Sequence, residues 1–371
     1  MDKSTSPLSW RNIVLLLLLI GFTILVVTRF TNLRDLITTL IDGNLIWVTI
    51  GVFIHILYFY LDAVLHKYSF ATVGLQNRAA ELFPVLLSAF FVNAVAPTGG
   101  AGGAAIFVDY NARQGKSGSK TAAGLVLALI SDLSTLIPFI LGGVAFLYSR
   151  RKLRIIETIG FVFFIVFILL LTGILVMGGR KPDLLRRFAH WFQRSVNKIG
   201  TWFGRDNWLN KGWADKNASD FIAGAKAITT HPKRLVQTLT WGMILHIVNV
   251  IGLYVFFLAY DQPVDIGTLV AGFGLGIVFF IVTVIPQGVG AVEWVMTSVF
   301  ISMGIPQTKA AVIAVVFRGV NFWMPLIAGF FFLRKVSSHS QEFLGEASQA
   351  TADEPNPGDK SKNKLSKVDE K

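Results

Sequence analysis

Long apolar runs constrain this chain more than any other feature of its sequence. Runs such as 13–27, 159–177 and 236–259 each come near the roughly 20 residues that an α-helix needs to cross a hydrocarbon core about 30 Å thick. Of the 371 residues, 53% are hydrophobic and only 15% are charged, whereas soluble domains contain about 25% charged residues. The sequence therefore predicts an all-α polytopic membrane protein.

Eight candidate membrane segments can be placed along the chain. They cover residues 12–28, 45–66, 82–96, 121–148, 157–177, 235–259, 267–285 and 308–333. The first follows basic residues as a signal peptide does, but no small-residue cleavage site comes after it, so it is interpreted as an uncleaved helix. The expected organisation is a membrane domain at 1–335 followed by a disordered polar tail at 336–371. Within the membrane domain we distinguish a first half at 1–178, a basic segment at 180–234 and a second half at 235–335.

Two of these segments run into sequences that break a helix. The segment at 82–96 meets Pro97-Thr98-Gly99-Gly100, and the segment at 267–285 meets Pro286-Gln287-Gly288-Val289-Gly290. Proline removes a backbone donor and glycine adopts positive φ angles. Broken backbone at membrane depth is tolerated where protein or a water-filled cavity satisfies it, so two re-entrant hairpins are expected, at 82–113 and 267–303. Candidate residues of a translocation pathway in the two turns are Pro97, Gly99, Gly100, Pro286, Gly288 and Gly290.

The distribution of Lys and Arg distinguishes two topologies, because cytoplasmic loops carry the excess of basic residues. Eight full spans place 15 basic residues on the cytoplasmic side and 18 outside, whereas six spans with two re-entrant hairpins place 26 and 7. The second arrangement follows the rule. It puts both termini in the cytoplasm and makes the hairpins open to opposite sides of the plasma membrane. The expected fold is thus an all-α membrane protein with about six to eight transmembrane helices.

The opposite directions of the hairpins are typical of an inverted repeat, and shifting one half of the chain onto the other aligns six identical residues. The pairs, all at one constant offset, are Pro97 and Pro286, Gly99 and Gly288, Gly115 and Gly304, Lys120 and Lys309, Ala122 and Ala311, and Val126 and Val315. Inverted repeats with broken helices near the midplane are a recurrent plan of secondary transporters. An internal repeat and coincidence are both open alternatives on this alignment alone.

The segment at 180–234 carries twelve Lys and Arg against four Asp. Apolar residues including Trp191 and Trp202 recur at helical spacing, and Arg186, Arg187 and Arg194 fall between them. A basic amphipathic helix with tryptophans on its apolar side lies in the membrane interface, where each basic residue contributes about 1 kcal/mol near anionic lipid. The alternative is a cytoplasmic loop that packs on other protein. We attribute the formal charge of +12 to orientation and anionic lipid, not to nucleic-acid binding.

Ionisable side chains inside the predicted spans are few, and each costs roughly 2.5–3.5 kcal/mol at a helix centre when unpaired. Arg318 lies ten residues past Thr308, and Glu293 lies seven residues past the Pro286 turn. The two are expected at comparable depth. They form either a structural salt bridge or a site in which Arg318 meets an anionic head group and Glu293 controls its availability. Asp132, in the corresponding helix of the first half, either bonds a neighbouring serine or lines the same cavity.

Other polar residues in the spans are given structural roles. Asp62 and His66, four positions apart, and His55 lie near the cytoplasmic end of their helix and are interpreted as interface groups, with proton carriers as the alternative. His246 and Asn249 are interpreted as interhelical hydrogen-bonding residues. The chain contains no cysteine, which excludes disulfides, thiolate metal sites and cysteine nucleophiles. The glycine-rich first turn lacks the lysine and hydroxyl of a phosphate-binding loop. We predict no catalytic residue, metal, cofactor or nucleotide.

The second turn and its surroundings resemble a known family. The stretch from Pro286 to Glu293, with Gly304-Ile305-Pro306, Arg318 and Trp323-Met324-Pro325, resembles the closing signature of the lysylphosphatidylglycerol synthase transmembrane-region family, also called flippase-like proteins. The resemblance covers about residues 10–335 and implies a lipid-translocating membrane region. By this resemblance Pro286, Gly288, Gly290, Glu293 and Arg318 carry over as functional positions.

Two departures from the family pattern limit what carries over. Relatives place an acidic residue and an arginine shortly after the first turn, where this chain has Gly103, Ala104 and Ala105. A charged site is therefore not expected in the first hairpin. Only a polar tail follows the last span, so no soluble aminoacyltransferase domain is expected.

These features favour a flippase-like transporter that moves a lipid with an anionic, aminoacylated or polyprenyl-linked head group between leaflets. The alternative is a non-transporting membrane partner that anchors or presents lipid to a separate glycosyl- or aminoacyl-transferase. An intramembrane enzyme is disfavoured because no nucleophile and base are paired in the sequence. The expected partners are membrane lipids, chiefly anionic; a separately encoded transferase and a second copy of the chain are open alternatives.

Overall fold

The structure, a computed structural model, describes residues 33–95, 100–202, 209, 212–230, 232–283 and 286–334. All regular elements in these ranges are helices. They are α1 (Leu33–Ile41), α2 (Leu45–Thr72), α3 (Ala79–Val95), α4 (Ala101–Arg113), α5 (Gly118–Ser149), α6 (Ile155–Arg180), α7 (Pro182–Trp202), α8 (Trp213–Thr230), α9 (Pro232–Ala259), α10 (Ile266–Val282), α11 (Ala291–Ser302) and α12 (Gln307–Arg334).

Four of the described helices, α2, α5, α9 and α12, are long and apolar enough to cross a membrane. Each contains one of the predicted segments. Shorter apolar helices accompany them, namely α3, α10, α11 and the apolar part of α6. The described part of the chain is therefore all-helical, and the chain is an integral membrane protein. The predicted first span at 12–28, the turn residues Pro97 and Gly99, and the tail at 336–371 lie outside the described residues.

Four successive helices of the first half have counterparts at a nearly constant offset in the second half. The number of residues from the start of α2 to the start of α9 equals the number from the start of α3 to the start of α10. The ends of α4 and α11, and the starts of α5 and α12, share the offset that separates Pro97 from Pro286. Gly115 and Gly304, at this same offset, both have positive φ angles after the second arm of a hairpin. Agreement in helix ends as well as in identities favours an internal repeat over coincidence.

The equivalent helices α2 and α9 pack side by side in opposite directions. The N–H of Asn44, just before α2, donates to the carbonyl of Ala259 at the end of α9 at 2.8 Å. At the other end, Arg234 near the start of α9 donates to the carbonyl of Ala71 in the last turn of α2. Equivalent helices that run in opposite directions are what an inverted repeat requires.

Each half also packs its long fourth helix against the hairpin of the other half. A Cβ on Gly143 of α5 would lie 2.8 Å from the Cα of Ala271, and one on Gly274 of α10 would lie 2.8 Å from a carbonyl oxygen of α5. α12 approaches α3 in the same manner, since a Cβ on Gly329 would overlap the Leu87 carbonyl. Small residues at such crossings let backbones approach closely, which stabilises helix contacts in membranes. These crossings hold the two halves together.

The second arms of both hairpins are short. α4 has 13 residues and α11 has 12. At about 1.5 Å per residue these arms are about 18–20 Å long, less than a hydrocarbon core of about 30 Å. Their length agrees with the expectation of re-entrant hairpins, whose placement in a bilayer stays a prediction.

Because the chain contains no cysteine, single cysteines can report the side from which each hairpin enters the membrane. Gln76 and Gln114 are exposed at the two ends of the first hairpin, and Ile266 and Gln307 at the two ends of the second. We expect Gln76→Cys and Gln114→Cys to react with an impermeant maleimide from the cytoplasmic side, and Ile266→Cys and Gln307→Cys from the outside. Labelling of right-side-out and inverted vesicles measures this. A hairpin whose two ends react from opposite sides is a full crossing.

Candidate functional site

The turn that joins α10 to α11 has an unusual backbone. Gln287, Gly288 and Gly290 have φ angles of 56°, 62° and 86°, all in the left-handed region. Glycine adopts this region readily, whereas a residue with a side chain seldom does. Pro286 opens a short 3₁₀ turn here, so the predicted helix break is present. The peptide groups of the turn need partners from elsewhere in the fold.

Arg318 on α12 supplies a partner to this turn and to the start of α11. Its Nη2 donates to the carbonyl of Gln287 at 2.8 Å, and its Nε donates to Oε1 of Glu293 at 3.1 Å. The other oxygen of Glu293 accepts from the N–H of Gly290 at 2.7 Å, at a helix N-terminus where a negative charge is favoured. The side chains of Arg318 and Glu293 are only 12% and 15% exposed. The salt-bridge geometry is therefore formed, and it closes a network around the turn.

A π-helical turn follows Arg318 directly. It covers Gly319–Trp323, where the N–H of Met324 bonds the carbonyl of Gly319, five residues earlier. Such insertions change the rotation of the residues on either side and are frequent at functional sites. Here the π turn contains Asn321, which lines the same cavity as Arg318.

A cavity of about 260 Å³ lies between the two halves beside Arg318. Its wall is mostly apolar and is built from helices of both halves. The polar and ionisable residues that line it are Tyr58, Asp132, His246, Asn249, Gln287, Arg318 and Asn321. Leu129 and Phe280, also in the wall, are 54% and 44% exposed. The cavity therefore meets the apolar outer surface of the bundle.

Asp132 lines the cavity and faces His246 across it. Oδ1 of Asp132 lies 3.1 Å from Nε2 of His246, and the imidazole is only 3% exposed while the carboxylate is 36% exposed. The alternative of a hydrogen bond to Ser131 or Ser134 is not formed. Ser134 donates to the carbonyl of Ile130, and the buried Oγ of Ser131 has no hydrogen-bond partner among the described residues. Of the two alternatives for Asp132, the described contacts support the cavity position.

Asn249 and Asn321 complete the polar wall. Nδ2 of Asn321 donates to Oδ1 of Asn249 at 3.3 Å, which joins α12 to α9. An interhelical role was predicted for Asn249, but Asn321, Gln287 and Tyr58 were not recognised as site residues. Asn321 had a usable signal, since it is a polar residue three positions after Arg318 in an otherwise apolar span.

The first half places no charged pair in the cavity. At the offset that relates the two halves, Glu293 and Arg318 correspond to Ala104 and Leu129. Gly100 opens α4 with a φ angle of 89° but does not line the cavity. The described residues of α4 contribute no side chain to this cavity.

The histidines of α2 differ in their surroundings. His66 lies 3.1 Å from Oδ1 of Asp62, one turn earlier, and both are partly exposed. His55 is fully buried, with Nδ1 2.7 Å from the carbonyl of Gly51 and its ring stacked on Phe256. The interpretation of His55 as an interface group is wrong, because the ring fills the contact between α2 and α9.

The basic segment forms α7 and α8, with α7 buried along one side and exposed along the rest. Leu185 and Ala189 are buried, and Ala189 packs on Ala214 and Ala218 of α8. The exposed residues include the apolar Leu184, Trp191 and Phe192 and the basic Arg186, Arg187 and Arg194. Trp202 is the last residue of α7. Trp191 and Phe192 are thus exposed, although the ring of Phe192 contacts Trp213 of α8.

Sequence comparisons agree with this architecture. Residues 12–329 match the protein family described as the lysylphosphatidylglycerol synthase TM region. The matched range contains both hairpins and every residue that lines the cavity. A UPF0104 membrane protein of Pyrococcus horikoshii is 21% identical in an alignment of 323 residues that covers 85% of this chain and 94% of that protein.

Removing one member of the buried ion pair is expected to destabilise the fold more than removing both. Arg318→Met leaves the Glu293 carboxylate without its cation, and Glu293→Gln leaves the guanidinium without its anion, a loss of about 3–5 kcal/mol each when the partner stays buried. The double variant should lose much less than the sum. Thermal unfolding in detergent micelles measures this.

Asp109→Asn serves as the matched control, because Asp109 pairs with Arg113 on the exposed side of α4. Its removal should change stability by about 0–1 kcal/mol. Additive losses in the Arg318 and Glu293 variants would show that the two side chains are not energetically coupled.

Proposed function

Because the chain belongs to the lysylphosphatidylglycerol synthase transmembrane-region family, we propose that it moves a lipid with an anionic, aminoacylated or polyprenyl-linked head group between the leaflets of the cell membrane. The observation that carries this proposal is the cavity, in which polar groups are enclosed by apolar helices. A head group that crosses a bilayer needs such shelter, because hydrocarbon satisfies no hydrogen bond.

The size and position of the cavity suit a head group without its acyl chains. Its volume of about 260 Å³ is below that of a site for a drug-sized ligand, which runs from about 300 Å³ upward. The exposed Leu129 and Phe280 in its wall allow acyl chains to stay in the surrounding lipid. Movement of this kind makes and breaks no covalent bond, so no enzymatic step is part of the proposal.

Arg318 is the proposed anion-binding residue. A guanidinium has five N–H donors, and the contacts to Gln287 and Glu293 use only part of them. The remaining donors suit a phosphate or carboxylate, whose planar or bidentate recognition arginine favours. Glu293 would control how firmly Arg318 is held, and Asn249 and Asn321 would offer neutral hydrogen bonds to the rest of the head group.

The inverted repeat supports a transport role. Two halves of opposite direction around one central cavity are a common architecture for alternating access, in which one half moves against the other. The exposed aromatic and basic residues of α7 support a position at the membrane surface. There Arg186, Arg187 and Arg194 would attract anionic lipid toward the protein.

Transport is tested with the purified chain in vesicles that contain fluorescent phosphatidylglycerol and an external membrane-impermeant quencher. We expect Arg318→Ala to slow lipid movement by about tenfold or more, since a hydrogen bond to a charged group contributes about 1.5–3 kcal/mol and about 1.4 kcal/mol is tenfold in rate. Arg334→Ala, an exposed residue at the end of the same helix, is the matched control and should leave the rate unchanged.

Equal rates for Arg318→Ala, Glu293→Gln and the wild type would contradict the assignment of this site. Movement that occurs only when a transferase is co-purified would instead support the alternative of a membrane partner that presents lipid to an enzyme.

The surface role of α7 gives a separate prediction. Replacing Arg186, Arg187 and Arg194 together by Gln should remove about 1 kcal/mol of attraction to anionic lipid for each residue. We expect the transport rate of the triple variant to lose its dependence on the fraction of anionic lipid in the vesicle, measured over a series of compositions. A dependence equal to that of the wild type would place α7 on protein, as the alternative interpretation has it.

A further inference from the structure

The Asp132 and His246 pair is the part of the cavity whose polar atoms are least satisfied. Nε2 of His246 lies 3.1 Å from Oδ1 of Asp132 but is not aligned for a hydrogen bond, and Nδ1 has no partner among the described residues. Buried polar atoms without partners are rare in native structures and call for a specific explanation. A neutral imidazole donates from one nitrogen only, whereas a protonated one donates from both.

The charges around the pair make its protonation decisive for the cavity. Arg318 is matched by Glu293, so these two cancel. Asp132 with a neutral His246 then leaves one net negative charge at the wall, and one bound proton removes it. Few other ionisable groups face the pair. From α2 they are Tyr58 in the wall, the partly exposed Asp62 with His66, and the buried His55. From α12 there is Arg318, and the residues that α10 contributes to the wall carry no charge.

We propose that Asp132 and His246 form a proton-binding site, and that a proton on this pair is required for an anionic head group to occupy the cavity. The inference rests on the proposed function for the identity of the ligand. An anion that enters an apolar cavity of net negative charge meets repulsion at low effective dielectric, and the bound proton removes that repulsion. The proton comes from water at the cavity mouth and returns to water when the head group leaves. Lipid movement is thereby coupled to proton movement.

Coupling between two ligands is reciprocal, so binding of the anion must in turn raise the proton affinity of the pair. This consequence can be measured without transport. The purified full chain is held in weakly buffered detergent with a pH indicator dye, and a short-chain phosphatidylglycerol is added. We expect uptake of about one proton per chain, because one proton removes the net charge of the pair.

The variants isolate the pair. Asp132→Asn and His246→Gln should reduce the uptake at least fivefold, and Asp132→Glu, which keeps the carboxylate, should restore it. Asp215→Asn is the matched control, since Asp215 lies 3.0 Å from His190 in a similar but exposed pair on α7 and α8. It should take up protons as the wild type does. Short-chain phosphatidylcholine should cause no uptake, and glycerol phosphate separates recognition of a free phosphate from recognition of a lipid.

In vesicles, the wild-type rate should fall by up to about tenfold for each pH unit above the midpoint, the limit for one proton. Asp132→Asn should lose this dependence. Absence of uptake in the wild type, or equal uptake in Asp132→Asn, overturns the proton site. Lipid movement without proton uptake overturns this inference and leaves the transport function standing. Proton uptake without lipid movement overturns the transport function and leaves the proton-binding site standing.

Discussion

The buried ion pair of Arg318 and Glu293 is the interaction on which the rest of the site depends. A guanidinium inside an apolar bundle is stable only when its charge and its donors are satisfied. Glu293 supplies the charge and the Gln287 carbonyl supplies an acceptor, at 3.1 and 2.8 Å. Glu293 also accepts from the N–H of Gly290. The same contacts therefore stabilise a turn whose residues have left-handed φ angles, together with the N-terminus of α11. One ion pair thus joins this turn, the start of α11 and α12.

A symmetric scaffold here carries an asymmetric site. Equivalent helices of the two halves agree in their ends, and α2 and α9 run in opposite directions, yet the positions equivalent to Glu293 and Arg318 hold Ala104 and Leu129. Asp132 and Asn321, which correspond to each other, both line the cavity, one as a carboxylate and one as an amide. The repeat provides the enclosure, and the differences between its copies provide the charges. The cavity wall therefore carries the paired Arg318 on one helix and the carboxylate of Asp132 on another.

Sequence reasoning recovered the apolar helices, the second helix break and the buried residues with charge. Those features are local. A long apolar stretch is favourable in lipid, whereas a backbone broken by proline and an isolated arginine each cost free energy there. It did not recover the partner of Asp132, because His246 lies far along the chain on another helix. It also misjudged His55, whose burial depends on the ring of Phe256 packed on it from α9. The spacing of apolar residues within one helix does not show which other helix packs against it.

The amino-acid sequence by itself determined that this chain is a helical membrane protein, where its helices break, and that Arg318 and Glu293 need partners inside it. These conclusions depend on the free energy of single residues in hydrocarbon. Only the tertiary structure decided that the two satisfy each other, that Asp132 lies beside His246, and that these two line one cavity together with Arg318. Those facts depend on how helices cross. Crossing is set by contacts such as Gly143 against Ala271, which join residues far apart in the sequence.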